Sequence, residues 1–274
     1  MSSPRTRVLL ISLLLTVGLI ASGCGSGSSS GSGSTGTTPP TNQSPAGLWT
    51  GTLTSSTFGN SPFIAIVIPN GQAFLATTSG GTIFAPPAQE LFSGPLTVSG
   101  SSVSGSLTAY APIDFPFPNG TTYETASVSG TVTSQASFSG TYQGAGDSGS
   151  FSLTYQSNSA NPAASLSLVA GSWTGDGLGL LYGPGAGGAD LVISSTGQIS
   201  GNDASTGCQF SGQISTVNST LNAYSVTFSV SSCIAAGFDL NYTGLAYLAY
   251  TAPNATLVWG VTSPSFGYTF LFNQ

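Results

Sequence analysis

From residue 46 onward, apolar residues recur at every second position in short runs, and Gly, Ser, Asn and Pro separate one run from the next. A period of two marks a strand with one buried face, whereas a helix needs a period near 3.6, and helical periodicity is almost absent here. In the first half the pattern predicts eight strands, over 47–54, 62–68, 72–78, 91–98, 102–111, 123–133, 137–143 and 150–155. In the second half it predicts eight more, near 172–177, 189–194, 198–203, 208–215, 223–231, 239–250, 255–261 and 267–272. In the last of these, Tyr268, Phe270 and Phe272 share one face, and Thr269 and Leu271 take the other. One run departs from the alternation. Phe63, Ala65 and Val67 oppose Ile64, Ile66 and Ile68, so this strand is apolar on both faces and is expected to lie against the other half.

The two halves repeat. Ala46-Gly47-Leu48-Trp49-Thr50-Gly51 recurs as Ala170-Gly171-Ser172-Trp173-Thr174-Gly175, and Pro69-Asn70-Gly71-Gln72 is echoed by Ser195-Thr196-Gly197-Gln198. Two echoes at nearly equal offsets argue for tandem copies of one fold, each long enough for a domain. The expected organisation is a leader over 1–23, a tether over 24–45, a first β-domain over 46–155, a connector over 156–169 and a second β-domain over 170–274. Short connections favour antiparallel meanders, and eight such strands can close into a small barrel that leaves no edge exposed. Glycines inside the runs (Gly105, Gly130, Gly140, Gly212 and Gly244) suit the bends of a small barrel. The fold class is therefore all-β, two tandem antiparallel eight-stranded meander barrels, with β-sandwiches as the alternative.

The amino terminus has a different character. Arg5 and Arg7 precede the apolar run Val8 to Ile20, which has the length of a signal-peptide core and is short for a membrane-spanning helix. Ala21-Ser22-Gly23-Cys24 follows and resembles the lipobox of bacterial lipoproteins. The resemblance implies cleavage before Cys24 and a diacylglyceryl group on its thiol, so the membrane is a partner through that covalent lipid. Gly25 after the cysteine, rather than Asp, implies the outer membrane by the sorting rule of such proteins. The Gly/Ser-rich segment from Gly25 to Pro45 behaves as a flexible coil, with a span of roughly 25 Å.

The opening Gly-x-Trp of each copy, Gly47-Leu48-Trp49 and Gly171-Ser172-Trp173, resembles the first strand of lipocalins and avidins. There the tryptophan closes one barrel end, which implies the same place for Trp49 and Trp173. The arginine that stacks on this tryptophan in lipocalins has no counterpart, because no Arg follows residue 7. Lipobox, tether and barrels in succession are also similar to the barrel lipoproteins of the transferrin-binding-protein type.

Charge narrows the functional classes. The chain holds Lys+Arg 2, Asp+Glu 8 and His 0, and both cations precede the expected cleavage site. Nucleic acid is excluded as a partner, since phosphate binding needs Lys and Arg. Phosphoryl transfer lacks its cationic clamp, and a histidine base is ruled out. Beyond Cys24, the remaining cysteines are Cys208 and Cys233. In an exported chain such a pair predicts a disulfide, and a hairpin centred near Asn218–Leu221 brings the two together.

The candidates for chemistry are few. Asp114 and Glu124 flank one loop and form the most plausible glycosidase pair, although solvated loop acids account for them better. Asp176 with Asp190, or Asp147 with Ser148, could offer oxygens to calcium, but no D-x-D-x-D series exists, so no metal and no cofactor is expected. The glycine-rich stretch Gly183 to Gly188 has no following Lys and is better explained as a hairpin loop than as a phosphate cradle. Tyr242, Tyr247, Tyr250 and Trp259 fall in adjacent strands and are the aromatic candidates for facing an apolar or glycan ligand, although such alternation more often marks core. The expectation is a membrane-anchored, non-enzymatic binding or surface-interaction protein of the bacterial envelope. The alternatives are a carboxylate-dependent carbohydrate-active enzyme or a purely structural envelope protein.

Overall fold

The computed structural model describes residues 41–57, 59–77, 91–111, 116–117, 119–144, 146–157, 163–175, 188–234, 236–251 and 254–274. The leader, Cys24 and most of the tether lie outside them.

Two closed barrels stand in tandem. The first runs β1 (Gly47–Ser55), β2 (Gly59–Val67), β3 (Gln72–Thr77), β4 (Leu91–Ser99), β5 (Ser102–Tyr110), β6 (Tyr123–Thr133), β7 (Ser137–Gly144) and β8 (Asp147–Tyr155). Each strand is antiparallel to the next, and β8 returns to β1 in register from Trp49↔Tyr155 to Ser55↔Gly149. A four-residue helix, α1 (Leu166–Val169), leads into the second barrel. That barrel contains β9 (Gly171–Gly175), β10 (Ala189–Ile193), β11 (Gln198–Asp203), β12 (Gln209–Thr216), β13 (Tyr224–Ser231), β14 (Asn241–Thr251), β15 (Asn254–Thr262) and β16 (Gly267–Asn273). Here β9 closes the ring between β16 and β10. Closure sets aside the sandwich alternative, since a sandwich would leave the first and last strands of each copy unpaired with one another.

The repeat is geometric as well as sequential. In the β2–β3 turn, Gly71 adopts φ 87°, its N–H donates to Ile68, and its carbonyl accepts from Leu96. In the β10–β11 turn, Gly197 adopts φ 83°, donates to Ser194 and accepts from Ile214. A left-handed φ admits glycine readily, and a Cβ would also run into the carbonyl of Leu96 at Gly71 and of Ile214 at Gly197, both on the neighbouring strand. The indole Nε1–H of Trp49 donates to the Pro45 carbonyl at 2.8 Å, and that of Trp173 donates to the Val169 carbonyl at 2.8 Å. Both tryptophans are buried at the end where their barrel's first strand begins.

Each interior is packed with side chains. Trp49, Phe63, Phe92, Phe138, Tyr142 and Phe151 dominate the first, and Trp173, Phe210, Phe228, Tyr242, Trp259 and Phe272 the second. Both interiors are polarised along the barrel axis. Ser55, Ser61, Thr77 and Asp147 are buried at the end of the first barrel away from Trp49. Asp203, Thr206 and Ser263 are buried at the end of the second barrel away from Trp173. The other buried polar residue among those described, Asn222, lies at the Trp173 end, where its amide bonds both N–H and C=O of Leu248.

A third apolar cluster joins the barrels. Ile64, Ile66, Ile68 and Phe74 on the outer face of the first meet Leu245, Tyr247 and Val258 on the outer face of the second. The doubly apolar strand thus divides its faces as its sequence predicts. Phe63, Ala65 and Val67 fill the lumen, and the isoleucines cover the second barrel.

Candidate functional site

In the second barrel, alternation along β13, β14, β15 and β16 points Phe228, Tyr242, Trp259, Tyr268, Phe270 and Phe272 into one aromatic cluster. Phe228 stacks on Tyr242 with centroids 5.3 Å apart, and Trp259 sits 5.6 Å from Phe228 and 4.9 Å from Phe272. Ala189, Leu191, Phe210, Phe228, Trp259, Phe270 and Phe272 line a cavity of about 10 Å³ within it. Trp259 is 1% exposed, and its Nε1–H has no hydrogen-bond partner. The contrast with Trp49 and Trp173, whose indoles both donate to carbonyls, is sharp. A buried donor without an acceptor costs about 1–3 kcal/mol, so this lumen carries an unmet demand for a hydrogen-bond acceptor.

The end of this barrel away from Trp173 holds three further unpartnered groups. The Tyr242 and Tyr268 hydroxyls lie towards each other, with Ser263 beside Tyr242, but neither reaches hydrogen-bond geometry. Burial pushes the Tyr242 phenol up to about 12, and burial together with the neighbouring Tyr242 raises that of Tyr268 further. Asp203 is fully buried and is the register partner of Ala189 at the cavity wall. Its Oδ1 accepts from the Ser205 amide and hydroxyl, while Oδ2 has no partner. The Cys208–Cys233 disulfide closes this end. The Asp203 N–H donates to the Cys208 carbonyl, and the Cys233 N–H to Asp239.

At the corresponding end of the first barrel the polar groups are satisfied. Asp147 is 8% exposed. Its Oδ2 accepts from the Ser55 hydroxyl at 2.6 Å and from the Tyr142 hydroxyl. Its Oδ1 accepts from the Ser56 hydroxyl at 2.7 Å, the Thr57 hydroxyl at 2.9 Å and the Thr57 amide at 3.1 Å. Burial opposes ionisation here, but the hydroxyls of Ser55, Tyr142, Ser56 and Thr57 outweigh it and hold the Asp147 carboxyl well below the usual carboxylate range. Above this network, Thr54, Ser56, Thr141, Gln143, Ser148 and Ser150 border an open groove of about 590 Å³.

No protein-family model and no curated protein matches the chain. Among solved structures it is similar to a "putative outer membrane protein" of Bacteroides fragilis, at 11% identity and a TM-score of 0.28, over 83% of this chain and 96% of that one. It is also similar to the Aeromonas veronii immune modulator A, at 12% identity and a TM-score of 0.37, over 86% of this chain and 96% of that one. Neither superposition is close enough to carry a function across.

The residues singled out by sequence separate as follows. Tyr242 and Trp259 belong to the lumen cluster. Tyr247 sits at odd spacing from Tyr242 on β14, so it points outward and is buried against the first barrel. Tyr250 lies in β14, and its side chain is outside what is described. Cys208 and Cys233 are bonded to each other. Glu124 accepts from the Asn119 side-chain amide at 2.9 Å, while Asp114, Asp176 and residues 183–187 lie outside the described residues. Asp190 is exposed and accepts from Thr174. Among the described residues, no group of three or more His, Cys, Asp or Glu side chains is placed to hold a metal ion. Sequence reasoning missed the buried carboxyls at Asp147 and Asp203. One cue was available for Asp203: it occupies an inward position of its strand, where Thr77 sits in the first copy.

Proposed function

We propose that this protein is an exported, lipid-anchored envelope protein whose second barrel is a non-enzymatic binding module for a small, largely apolar molecule bearing a hydrogen-bond acceptor. The observation that carries the binding reading is Trp259. Of the three tryptophans it alone has an unpartnered indole N–H, and it alone lines the lumen cavity. Aromatic and apolar walls make up most of the lining of a small-molecule site, and here the Trp259 N–H is buried among them. The cavity is about the size of one water molecule, so a ligand larger than this requires the lining rings to turn. Anchoring rests on the lipobox at Cys24, the preceding apolar run and the tether.

Nitrogen–proton correlation spectra of the protein from residue 24 onward test the binding module. Three indole resonances are expected, with Trp259→Phe assigning one by its disappearance. Titration with acetophenone, an aromatic ketone, should move the Trp259 resonance saturably and leave the other two in place. A Trp259 resonance that stays still, or three that drift together, would reject the reading. Incorporation of labelled palmitate that Cys24→Ala abolishes tests the anchor separately.

A further inference from the structure

The groove on the first barrel has a polarity set by chemistry. Ionised Asp147 only accepts hydrogen bonds, so the single protons of the Ser55, Ser56 and Thr57 hydroxyls are turned inward towards it. The Ser56 oxygen therefore presents lone pairs outward, and Ser148 donates to it at 3.4 Å. The strands reinforce this. β8 lies between β7 and β1, and the register Thr141↔Ser150, Gln143↔Ser148 and Thr54↔Ser150 sets these residues side by side. All six of Thr54, Ser56, Thr141, Gln143, Ser148 and Ser150 are exposed. None is charged.

A surface of this kind offers hydroxyl oxygens as oriented acceptors, because the protons of Thr54, Ser56 and Ser148 are committed to Asn60, Asp147 and Ser56, with a negative charge buried beneath. It matches a ligand rich in neutral O–H donors and repels anions. A metal ion is a poor match, because one carboxylate with both oxygens already engaged cannot supply the ligand set of a hard cation.

We propose that the groove over Asp147 is a recognition site for a neutral saccharide. This site is independent of the lumen at Trp259. No aromatic ring is exposed in it, since Tyr142 is buried, so affinity comes from hydrogen bonding alone and falls in the millimolar range. The test is a correlation-spectrum titration of the protein from residue 24 onward with cellohexaose, maltohexaose and the anionic hexamer of galacturonic acid. At least one neutral hexaose should shift amides within 54–57, 141–143 and 148–150, with the anionic hexamer giving no shift. Ser148→Val, at an exposed strand position that tolerates a β-branched residue, should weaken this binding at least tenfold, and Gln143→Ala should weaken it severalfold. Asp147→Asn should also weaken it, and if that variant does not fold, the two surface variants still decide. Shifts confined to another part of the molecule, silence up to tens of millimolar, or equal binding of the anionic hexamer would each overturn the proposal.

Discussion

The ring of Phe74, on the outer face of β3, occupies the space that a side chain at Gly260 of β15 would need. Nearby, Leu91 and Tyr110 close in the same way on Gly267, and the Tyr110 hydroxyl reaches the Ser263 carbonyl at 3.4 Å. The barrels therefore interlock, with aromatic rings of one seated on glycines of the other.

Overfilling a tight apolar site costs about 1–3 kcal/mol, and Gly260→Ala should destabilise the chain by that amount. Removing Phe74 to alanine should cost about 3–5 kcal/mol. Because the new methyl would occupy space vacated by the ring, the double variant should cost less than the sum of the two. Urea unfolding followed by tryptophan fluorescence checks both the size and the non-additivity. Strict additivity would mean that the two residues do not share the site.

Trp173→Phe keeps an aromatic ring at the barrel end but leaves the Val169 carbonyl without its indole donor. The expected loss is about 1–3 kcal/mol. Trp259→Phe removes a donor that has no partner, so its cost should be smaller. Thermal melts of the two variants side by side give the comparison, and equal costs would contradict the hydrogen-bond assignment.

Asp147 has a folded-state pKa far below its unfolded value. It therefore contributes stability at any pH above the unfolded value of about 4, and this contribution fades as pH falls through the folded value. Asp147→Asn should be less stable than the parent near neutrality, by about 2–3 kcal/mol for a charged group losing several hydrogen bonds, and the gap should narrow below about pH 4. Urea midpoints across the acid range measure it, and a gap constant down to pH 2 would be the contrary result.

The tyrosines give the opposite limb. Burial pushes the Tyr242 and Tyr247 phenols up to about 12, so in the folded state they hold their protons after the unfolded chain has lost them. Stability should fall as pH rises above about 10. Phenolate absorbance and urea midpoints followed together across the alkaline range measure it, and phenols that ionise while the fold is still intact near pH 10 would be the contrary result.

The Cys208–Cys233 bond closes a loop with a sequence separation of 25. In the chain-entropy model its loss costs about 3–4 kcal/mol. The double variant Cys208→Ser with Cys233→Ser should lower the stability of the second barrel by that amount. Reducing agent should have no effect on this variant.

The amino-acid sequence by itself determined the strands, the tandem repeat and the division of β2 into a lumen face and an outer face. These features are local: a two-residue period, a turn glycine at positive φ and a run of isoleucines need no knowledge of distant neighbours. It also brought Cys208 and Cys233 together, because a single hairpin joins them. Closure into barrels rather than sandwiches was decided only in three dimensions, by the pairing of β8 with β1 and of β16 with β9. The same holds for the sites. Nothing in the sequence around Asp147 shows that Ser55 and Thr57, about ninety positions earlier, direct their protons to it. Trp259 carries no local sign that its indole N–H would be left without an acceptor while Trp49 and Trp173 find carbonyls four residues away. Periodicity assigns a side chain to a face, but the partners it meets there come from strands remote in the chain, and only closure of the barrel brings them within hydrogen-bond distance.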